Sequence, residues 1–140
     1  MFLSIALLLL IQAPVAASPQ PGFAVALDEH FARDLHDKKI DDVLTLYTAD
    51  AVFVNPDGSE KTGPGLRKLY EQVAAAFDSD LHLKPLHFKR HGKTAEEDGT
   101  YEETLGHRDT GKIDQVHGTF RFAMRRDADG QWRYTRMEWH

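Results

Sequence analysis

The sequence predicts one α+β domain in which three N-terminal helices pack in the concave face of a strongly curved antiparallel sheet, a cone-like roll. Two patterns predict this architecture. Apolar residues recur at helical spacing between positions 23 and 77, and they alternate with polar residues from position 81 onward. Helices followed by a run of strands are typical of an α+β protein. The length of 140 residues fits one domain, and 41% hydrophobic residues can supply its core.

Each predicted helix is marked by an apolar stripe along one face. The stripes are Phe23, Leu27, Phe31 and Leu35; Ile40, Val43, Leu44 and Tyr47; and Leu66, Leu69, Tyr70, Val73 and Phe77. Thr62-Gly63-Pro64 announces the third helix, because proline is tolerated in a first helical turn. A short strand at 51–54 precedes it and ends at Asn55-Pro56-Asp57-Gly58, a strong turn signal.

Four longer strands are predicted after the helices, at residues 81–89, 95–105, 113–126 and 131–139. Pro85 lacks a backbone N–H, so the first of these is expected to be an edge strand or a bulged one. A loop joins the second strand to the third. The turn sequence before the last strand is typical of a hairpin, which favours antiparallel pairing.

The strand predicted at 113–126 sets the orientation of the sheet, because its apolar face must meet the helices. The two faces are Val116, Gly118, Phe120, Phe122 and Met124, inward, and His117, Thr119, Arg121 and Arg125, outward. We choose the pairing with the preceding strand that sets opposite charges against each other on the outward face. The pairs are Glu102 with His117 and Asp98 with Arg121, outward, and Gly99 with Phe120 and Tyr101 with Gly118, inward. This register also turns two carboxylates inward, Glu97 and Glu103.

The last strand is predicted to turn Thr135, Met137 and Trp139 inward, which leaves Tyr134 on the other face. Trp139 would then stand beside Gly118. The missing side chain at that glycine is expected to leave room for a ligand.

The N-terminus has the composition of a secretory signal. Residues 2–11 are almost wholly apolar, a stretch too short to span a bilayer as a helix. Small residues follow, so cleavage is expected after Ala17, with a flexible leader at 18–22 and the domain at 23–140. A periplasmic or secreted location is therefore predicted. The alternative is an uncleaved amphipathic or buried N-terminal segment.

Composition excludes several classes of function. Cysteine is absent, which rules out disulfides, cysteine nucleophiles and thiolate metal sites. A net charge of −5 argues against nucleic-acid and anionic membrane partners, which require a basic surface. His82, His87 and His91 lie close in sequence, but their spacing on a strand places successive members on different faces. Neither a metal nor another cofactor is therefore expected.

Several local motifs are similar to those of the nuclear transport factor 2-like superfamily. Residues 42–53, DVLTLYTADAVF, resemble its LYADDAVF signature, and Asn55 to Glu60 followed by Thr62-Gly63 resembles the segment after it. Residues 120–122 and 129–133 resemble its closing hairpin. The resemblance spans 23–140 and implies a cone-shaped fold. It implies no single function, because the superfamily contains isomerases, cyclases, dehydratases, transport adaptors and binding modules.

Within this superfamily the motifs are most similar to ketosteroid isomerases and SnoaL-like polyketide cyclases. The isomerases use an aspartate before the turn proline as base, and a tyrosine and a protonated aspartate hold the oxyanion. The corresponding positions here are Asn55, Phe31 and a residue at or next to Gly118. Asparagine cannot take the proton, phenylalanine cannot donate a hydrogen bond and glycine has no side chain. The resemblance therefore implies the pocket without the isomerase mechanism.

The predicted faces and the resemblance together define a candidate pocket for a small apolar molecule with a few polar handles. Its residues are Phe31, Tyr47, Asn55, Tyr70, Tyr101, Gly118, Phe120, Phe122, Met137 and Trp139. The tyrosines also fit a purely structural role in the core, and Asn55 fits one in the turn.

Three functions remain open at this point. The first is an exported protein that binds a small apolar molecule. The second is an isomerase, cyclase or lyase acting on a small hydrophobic carbonyl compound, with Glu103 or Glu97 as the base. The third is an association module without a ligand, in which the charged outer face of the sheet builds a homodimer. A dimer through that face is also compatible with the first two.

Overall fold

The computed structural model describes residues 20–140. The predicted signal segment at 1–17 and the start of the leader lie outside the described residues. The helices are α1 (Gly22–His36), α2 (Ile40–Thr45) and α3 (Gly63–Ala76). The strands are β1 (Tyr47–Val54), β2 (Glu60–Lys61), β3 (Phe77–His91), β4 (Thr94–His107), β5 (Ile113–Arg126) and β6 (Trp132–Trp139).

All six strands belong to one sheet, in the order β2-β1-β6-β5-β4-β3. Neighbours are antiparallel except for β1 and β6, which run parallel. A parallel pair needs a long connection, and here α3 and the strands β2 to β5 lie between the two partners in sequence. The predicted α+β class is confirmed, although the sheet is mixed rather than wholly antiparallel.

Helix α1 packs on the sheet through Phe31, which is 1% exposed. Its ring centroid lies 5.9 Å from that of Tyr134 and 6.5 Å from that of Trp139. Beneath them, Phe120 and Phe122 of β5 are also fully buried. Burying each side chain of this size stabilises the fold by roughly 1.5–3 kcal/mol, so this aromatic layer contributes several kcal/mol to the packing of α1 on the sheet.

The predicted register of β4 against β5 is confirmed at every chosen pair. The observed partners are Asp98 with Arg121, Glu102 with His117, Gly99 with Phe120, and Tyr101 with Gly118. Val116, at the end of the inward face of β5, is 37% exposed. It still lies on the inward side, because it lines the space between the helices and the sheet.

The predicted orientation of β6 is wrong in its first half. Tyr134 is completely buried, and Thr135 is only half-buried. The pairing of β5 with β6 shifts between Ala123 and Met124, which leaves Thr135 without a register partner. Such a bulge reverses the inward and outward sets along a strand. Met137 is inward as predicted, and Tyr134 joins it.

The space predicted beside Gly118 is filled by the chain itself. A Cβ built on this glycine would overlap the carbonyl oxygen of His140 and lie 2.9 Å from a ring carbon of Tyr101. The backbones of Thr119 and His140 exchange two hydrogen bonds there, of 3.1 and 2.8 Å. Gly118 therefore admits a backbone and not a ligand.

Two aromatic residues that were placed at the ends of helices begin strands instead. Tyr47 opens β1, where it pairs with Tyr134 of β6. Phe77 opens β3 with an extended backbone, and its ring packs edge-on against His107 at 4.8 Å. In both cases a sheet partner overrides the helical spacing, as is common for aromatic residues with high strand propensity.

Pro85 behaves as predicted, since β3 is an edge strand and its pairing with β4 shifts between Pro85 and His87. Gly99 of β4 lies opposite this bulge. None of the helices within residues 20–140 is both long and apolar enough to cross a membrane.

Candidate functional site

A cavity of about 300 Å³ lies between α1, α3 and the sheet. Its walls come from both helices, the turn after β1, and strands β1 and β3 to β6. The lining residues are Phe31, Leu35, Phe53, Asn55, Pro56, Leu69, Tyr70, Val73, Leu81, Tyr101, Glu103, Leu105, Val116 and Trp139. Below, "the cavity" means this space.

Six residues that the sequence singled out line the cavity together. They are Phe31, Asn55, Tyr70, Tyr101 and Trp139 from the candidate pocket, and Glu103 from the candidate bases. They come from four different elements, α1, α3, β4 and β6, and from the turn after β1. The long β4 contributes Tyr101 and Glu103, two residues apart and therefore on one face.

Glu103 is the carboxyl group of the cavity wall. Its register partners are Leu81 on β3 and Val116 on β5, so aliphatic side chains flank it on both sides. Burial raises its pKa. Burial also raises the pKa of Tyr101, and the negative charge of Glu103 raises it further. The wall thus offers a carboxyl group that protonates more readily than an exposed one.

Tyr70 presents a phenol to the cavity from α3, and Tyr47 holds it from behind. The two hydroxyl oxygens are 2.5 Å apart, and the hydroxyl of Tyr47 also donates to the sulfur of Met137 at 2.8 Å. Burial raises the pKa of both phenols above its ordinary value. Both remain neutral. Because Tyr47 donates its single proton to Met137, Tyr70 donates its own to Tyr47 and can accept a hydrogen bond from a ligand.

Trp139 forms part of the wall beside Tyr101, with ring centroids 4.9 Å apart and nearly perpendicular planes. Its Nε1–H is buried and has no hydrogen-bond partner among residues 20–140. Buried donors are nearly always paired in proteins. The nitrogen itself has almost no accessible surface, so the ring of Trp139 rather than its donor forms the cavity wall. The sequence placed Trp139 in the pocket but gave no sign of this donor.

Asn55 reaches the cavity from the turn after β1, but its side-chain NH₂ group already donates hydrogen bonds within that turn. Its Nδ2 donates to the hydroxyl of Ser59 at 3.0 Å and to the carbonyl of Ser59 at 3.3 Å. These bonds close the turn. Only its side-chain carbonyl oxygen remains free of hydrogen bonds among the described residues.

Five of the predicted pocket residues do not line the cavity. They are Tyr47, Gly118, Phe120, Phe122 and Met137. Phe120, Phe122 and Met137 are at most 1% exposed, because Trp139 and the helices cover them. Alternation along a strand predicts which side chains point inward, but it does not show which of them are covered by others.

The lining residues that the sequence did not assign to the pocket are mostly aliphatic. Leu69 and Val73 are four residues apart on α3, and Leu35 closes the wall from α1. Their helical spacing was recognised as an apolar face. Part of that face meets the cavity rather than a neighbouring side chain, and the spacing cannot distinguish the two.

Glu97 lies in a separate buried group, away from the cavity. The side-chain nitrogen of Gln20 donates to the carboxylates of Asp28 and Glu97, both at 2.7 Å, and the hydroxyl of Tyr134 donates to Asp28 at 2.5 Å. Asp28 is 5% exposed and Glu97 is 2% exposed. Burial is the main cause that raises the pKa of each, and the adjacent Asp28 raises that of Glu97 further, to about 10. This group is called the acid pair below.

Within the part of the chain that the structure describes, no three His, Asp or Glu side chains are arranged to hold a metal ion. The three clustered histidines of β3 do not converge. His82 and His87 each lie next to an aspartate, Asp80 at 3.2 Å and Asp98 at 2.7 Å.

Comparison with known proteins agrees with this architecture. The family model described as the SnoaL-like domain matches residues 28–135. A candidate aromatic ring hydroxylase from Novosphingobium aromaticivorans is 26% identical, with a TM-score of 0.74 over 84% of this chain and 85% of that chain. No curated protein gives a significant match.

Two further solved structures share the fold at lower identity. A ketosteroid isomerase-like protein from Erwinia carotovora is 20% identical, with a TM-score of 0.73 over 83% of this chain and 91% of that chain. A candidate scytalone dehydratase from Novosphingobium aromaticivorans is 14% identical, with a TM-score of 0.77 over 84% and 80%. The family match covers most of the chain, and the structural neighbours have the same cone. The chain therefore belongs to the SnoaL-like domain family of the nuclear transport factor 2-like superfamily.

Proposed function

We propose that this protein is exported and binds a small, mainly apolar molecule in the cavity. The observation that carries the proposal is the cavity itself, whose mainly apolar walls include the ring of Trp139, the phenol of Tyr70 and the carboxyl of Glu103. Concave sites with apolar walls and a few polar groups are the usual form of ligand pockets. The predicted signal at 1–17 supports export.

The walls favour a ligand with one or two rings and an oxygen that accepts hydrogen bonds. Ligand pockets range from about 300 to about 1,000 Å³, so this cavity fits a compound at the small end. Aromatic rings of Phe31, Phe53 and Trp139 offer flat contacts, and a protonated Glu103 would donate to a carbonyl or phenol oxygen. The neighbours described as an aromatic ring hydroxylase and a scytalone dehydratase support an aromatic compound of this kind.

Binding can be measured with the neutral naphthalene ketone prodan. The Trp132→Phe variant leaves Trp139 as the only tryptophan, because the chain has two. We expect prodan to quench Trp139 and to shift its own emission to the blue. Val73→Phe, which fills the cavity, should weaken binding at least about tenfold, or about 1.4 kcal/mol.

The matched control is Ala75→Phe, which adds a ring at an exposed position of the same helix. It should bind prodan like the parent protein. Equal binding by the Val73→Phe and Ala75→Phe variants would place the probe outside the cavity. If neither prodan nor a wider set of aryl ketones and phenols binds, the proposal fails.

The second candidate function is acid–base catalysis on a small carbonyl compound. The observation that favours it is Glu103, a carboxyl group on the cavity wall whose pKa is raised by burial. A raised carboxyl pKa brings the acid and base forms closer to equal populations at neutral pH, which suits proton transfer. The three positions of the ketosteroid isomerase mechanism remain unsuited to it, so the base would be Glu103.

Exchange of the α-protons of 1-tetralone for deuterium, followed by NMR, would report such catalysis. Glu103→Gln should slow the exchange by about 100-fold or more while the fold stays intact. The control is Glu102→Gln, the neighbouring carboxyl on the outer face opposite His117. An unchanged rate in the Glu103→Gln variant would remove Glu103 as the base.

The outer face of the sheet is proposed to form a homodimer. Paired opposite charges, such as Asp98 with Arg121, follow this face. Light scattering measures the mass directly, and a monomer at high protein concentration would contradict the dimer. Export is checked by sequencing the N-terminus of protein recovered outside the cytoplasm, which should begin at Ser18.

A further inference from the structure

The acid pair joins three separate parts of the chain. Gln20 precedes α1, Asp28 lies in the second turn of α1, and Glu97 lies near the start of β4. One nitrogen of Gln20 donates to both carboxyl groups, so it bridges the helix and the sheet at 2.7 Å on each side. The connection depends on two acids remaining side by side in the interior.

Two ionised carboxylates at this separation would repel each other strongly. One nitrogen of Gln20 lies 2.7 Å from an oxygen of each carboxyl group, so the two groups are close neighbours. Glu97 Oε1 is buried with no hydrogen-bond partner among residues 20–140, and burial disfavours the charged form and raises the pKa of both groups. The folded pair therefore holds one proton.

No Lys, Arg or His side chain among residues 20–140 forms an ion pair with Asp28 or Glu97, although His87, Lys89 and Arg121 line a recess with Glu97 and His82 lines one with Asp28. From β6 the facing group is Tyr134, a neutral phenol, and from β3 and β5 the register partners of Glu97 are Phe88 and Phe122. Besides Asp28, the charge that acts on Glu97 is that of Asp98, which is also negative. Apart from the shared nitrogen of Gln20, the proton is therefore the source of attraction across the pair.

We propose that Gln20, Asp28 and Glu97 form a proton-operated latch, which holds the start of α1 against the sheet and loosens when the pair loses its proton. The first turn of α1 is well placed to report its state. The ring of Phe23 stacks on that of Trp132 of β6, with centroids 4.2 Å apart and planes 11° apart. When the latch opens, the two rings separate and the backbone amides of the first two turns of α1 become exposed to solvent.

Opening is linked to pH by a simple count of protons. In the open form both carboxyl groups of the pair are exposed to solvent, and each ionises with about its ordinary pKa of 4. Each opening therefore releases one proton at neutral pH. The equilibrium constant for opening should rise about tenfold for each pH unit across the range from about pH 6 to about pH 9.

Hydrogen exchange with peptide mass spectrometry tests the latch on the full chain. After correction for intrinsic exchange rates, protection of residues 22–30 should fall about tenfold per pH unit, while the β5 core stays protected. In Glu97→Gln, whose amide keeps its protons, protection of the same residues should not change with pH. Glu96→Gln, an exposed neighbour on the same strand, should behave like the parent protein.

A second measurement uses Trp132 as the only tryptophan, in the Trp139→Phe background. Its emission should shift to longer wavelength as the pH rises, and Glu97→Gln should abolish the shift. Protection of 22–30 that is independent of pH in the parent protein would overturn the latch. So would an equal pH dependence in Glu97→Gln. Equal protection of residues 22–30 and of β5 at every pH would show that both segments exchange only through global unfolding, and would also overturn it.

Discussion

Gly99→Ala is expected to destabilise the protein by more than about 3 kcal/mol, which is the severe end of overpacking effects. A Cβ built on Gly99 would overlap the carbonyl oxygen of Lys84 and lie 2.8 Å from the Cα of Pro85. Both clashing groups are backbone atoms of β3, at the bulge where its pairing shifts. Backbone cannot turn aside as a flexible side chain can, so the two strands must separate. Urea denaturation followed by circular dichroism measures the loss.

Gly106→Ala is the matched control, because it makes the same substitution on the same strand. A Cβ there would lie 3.8 Å from the Cβ of Asp78, an ordinary contact. Neither Gly99 nor Gly106 has a positive φ, so backbone strain does not enter the comparison. Gly106→Ala should change stability by less than about 1 kcal/mol. Equal effects at the two positions would contradict the close approach at the bulge.

Glu97→Gln is expected to stabilise the protein, increasingly so as the pH rises. The folded-state pKa of Glu97 is raised to about 10, while an unfolded glutamate has a pKa of about 4.3. Between these values the folded chain keeps a proton that the unfolded chain releases. Raising the pH therefore favours unfolding by about 1.4 kcal/mol per pH unit for this one group. Glutamine removes the linkage and preserves the shape, and its amide can donate to Asp28.

Urea denaturation at several pH values between about 5 and about 8 would measure this linkage. The stability of Glu97→Gln minus that of the parent protein should grow by about 1.4 kcal/mol per pH unit. Glu96→Gln should show no such growth, because Glu96 is exposed. A constant difference between the Glu97→Gln and parent proteins would mean that Glu97 is ionised in the fold.

The sequence was a good guide to the sheet because alternation and charge pairing leave few registers open. Opposite charges at Asp98 and Arg121, combined with small-to-large pairs such as Gly99 with Phe120, were sufficient to predict the observed pairing of β4 with β5. The failure at Tyr134 has a definite cause. One unpaired residue in β6 reverses the faces, and nothing in the local composition marks where a bulge will occur.

The site was harder to predict than the fold. The sequence does not show which inward residues are covered by others, or which residues far apart in the chain come into contact. Alternation grouped Phe120, Phe122 and Trp139 on one face, yet only Trp139 reaches the cavity, because it lies over the others. The acid pair shows the same limit. Asp28 lies on α1 outside its apolar stripe, and its partner Glu97 lies 69 positions later on β4. The periodicity within one helix or strand carries no information about a contact between two such distant segments.

The bulge at Pro85 has a consequence for how molecules of this protein meet each other. β3 is a strand of 15 residues at an open edge of the sheet, the kind of surface on which a foreign strand can add. Proline has no N–H to donate to an added strand, and the kink at Pro85 interrupts the row of hydrogen-bonding groups along the edge. Lys84 and Lys89 add positive charge on either side, so that two such edges repel. We therefore expect the bulge at Pro85 to hinder edge-to-edge association of β3 strands, and with it fibre formation, at high protein concentration.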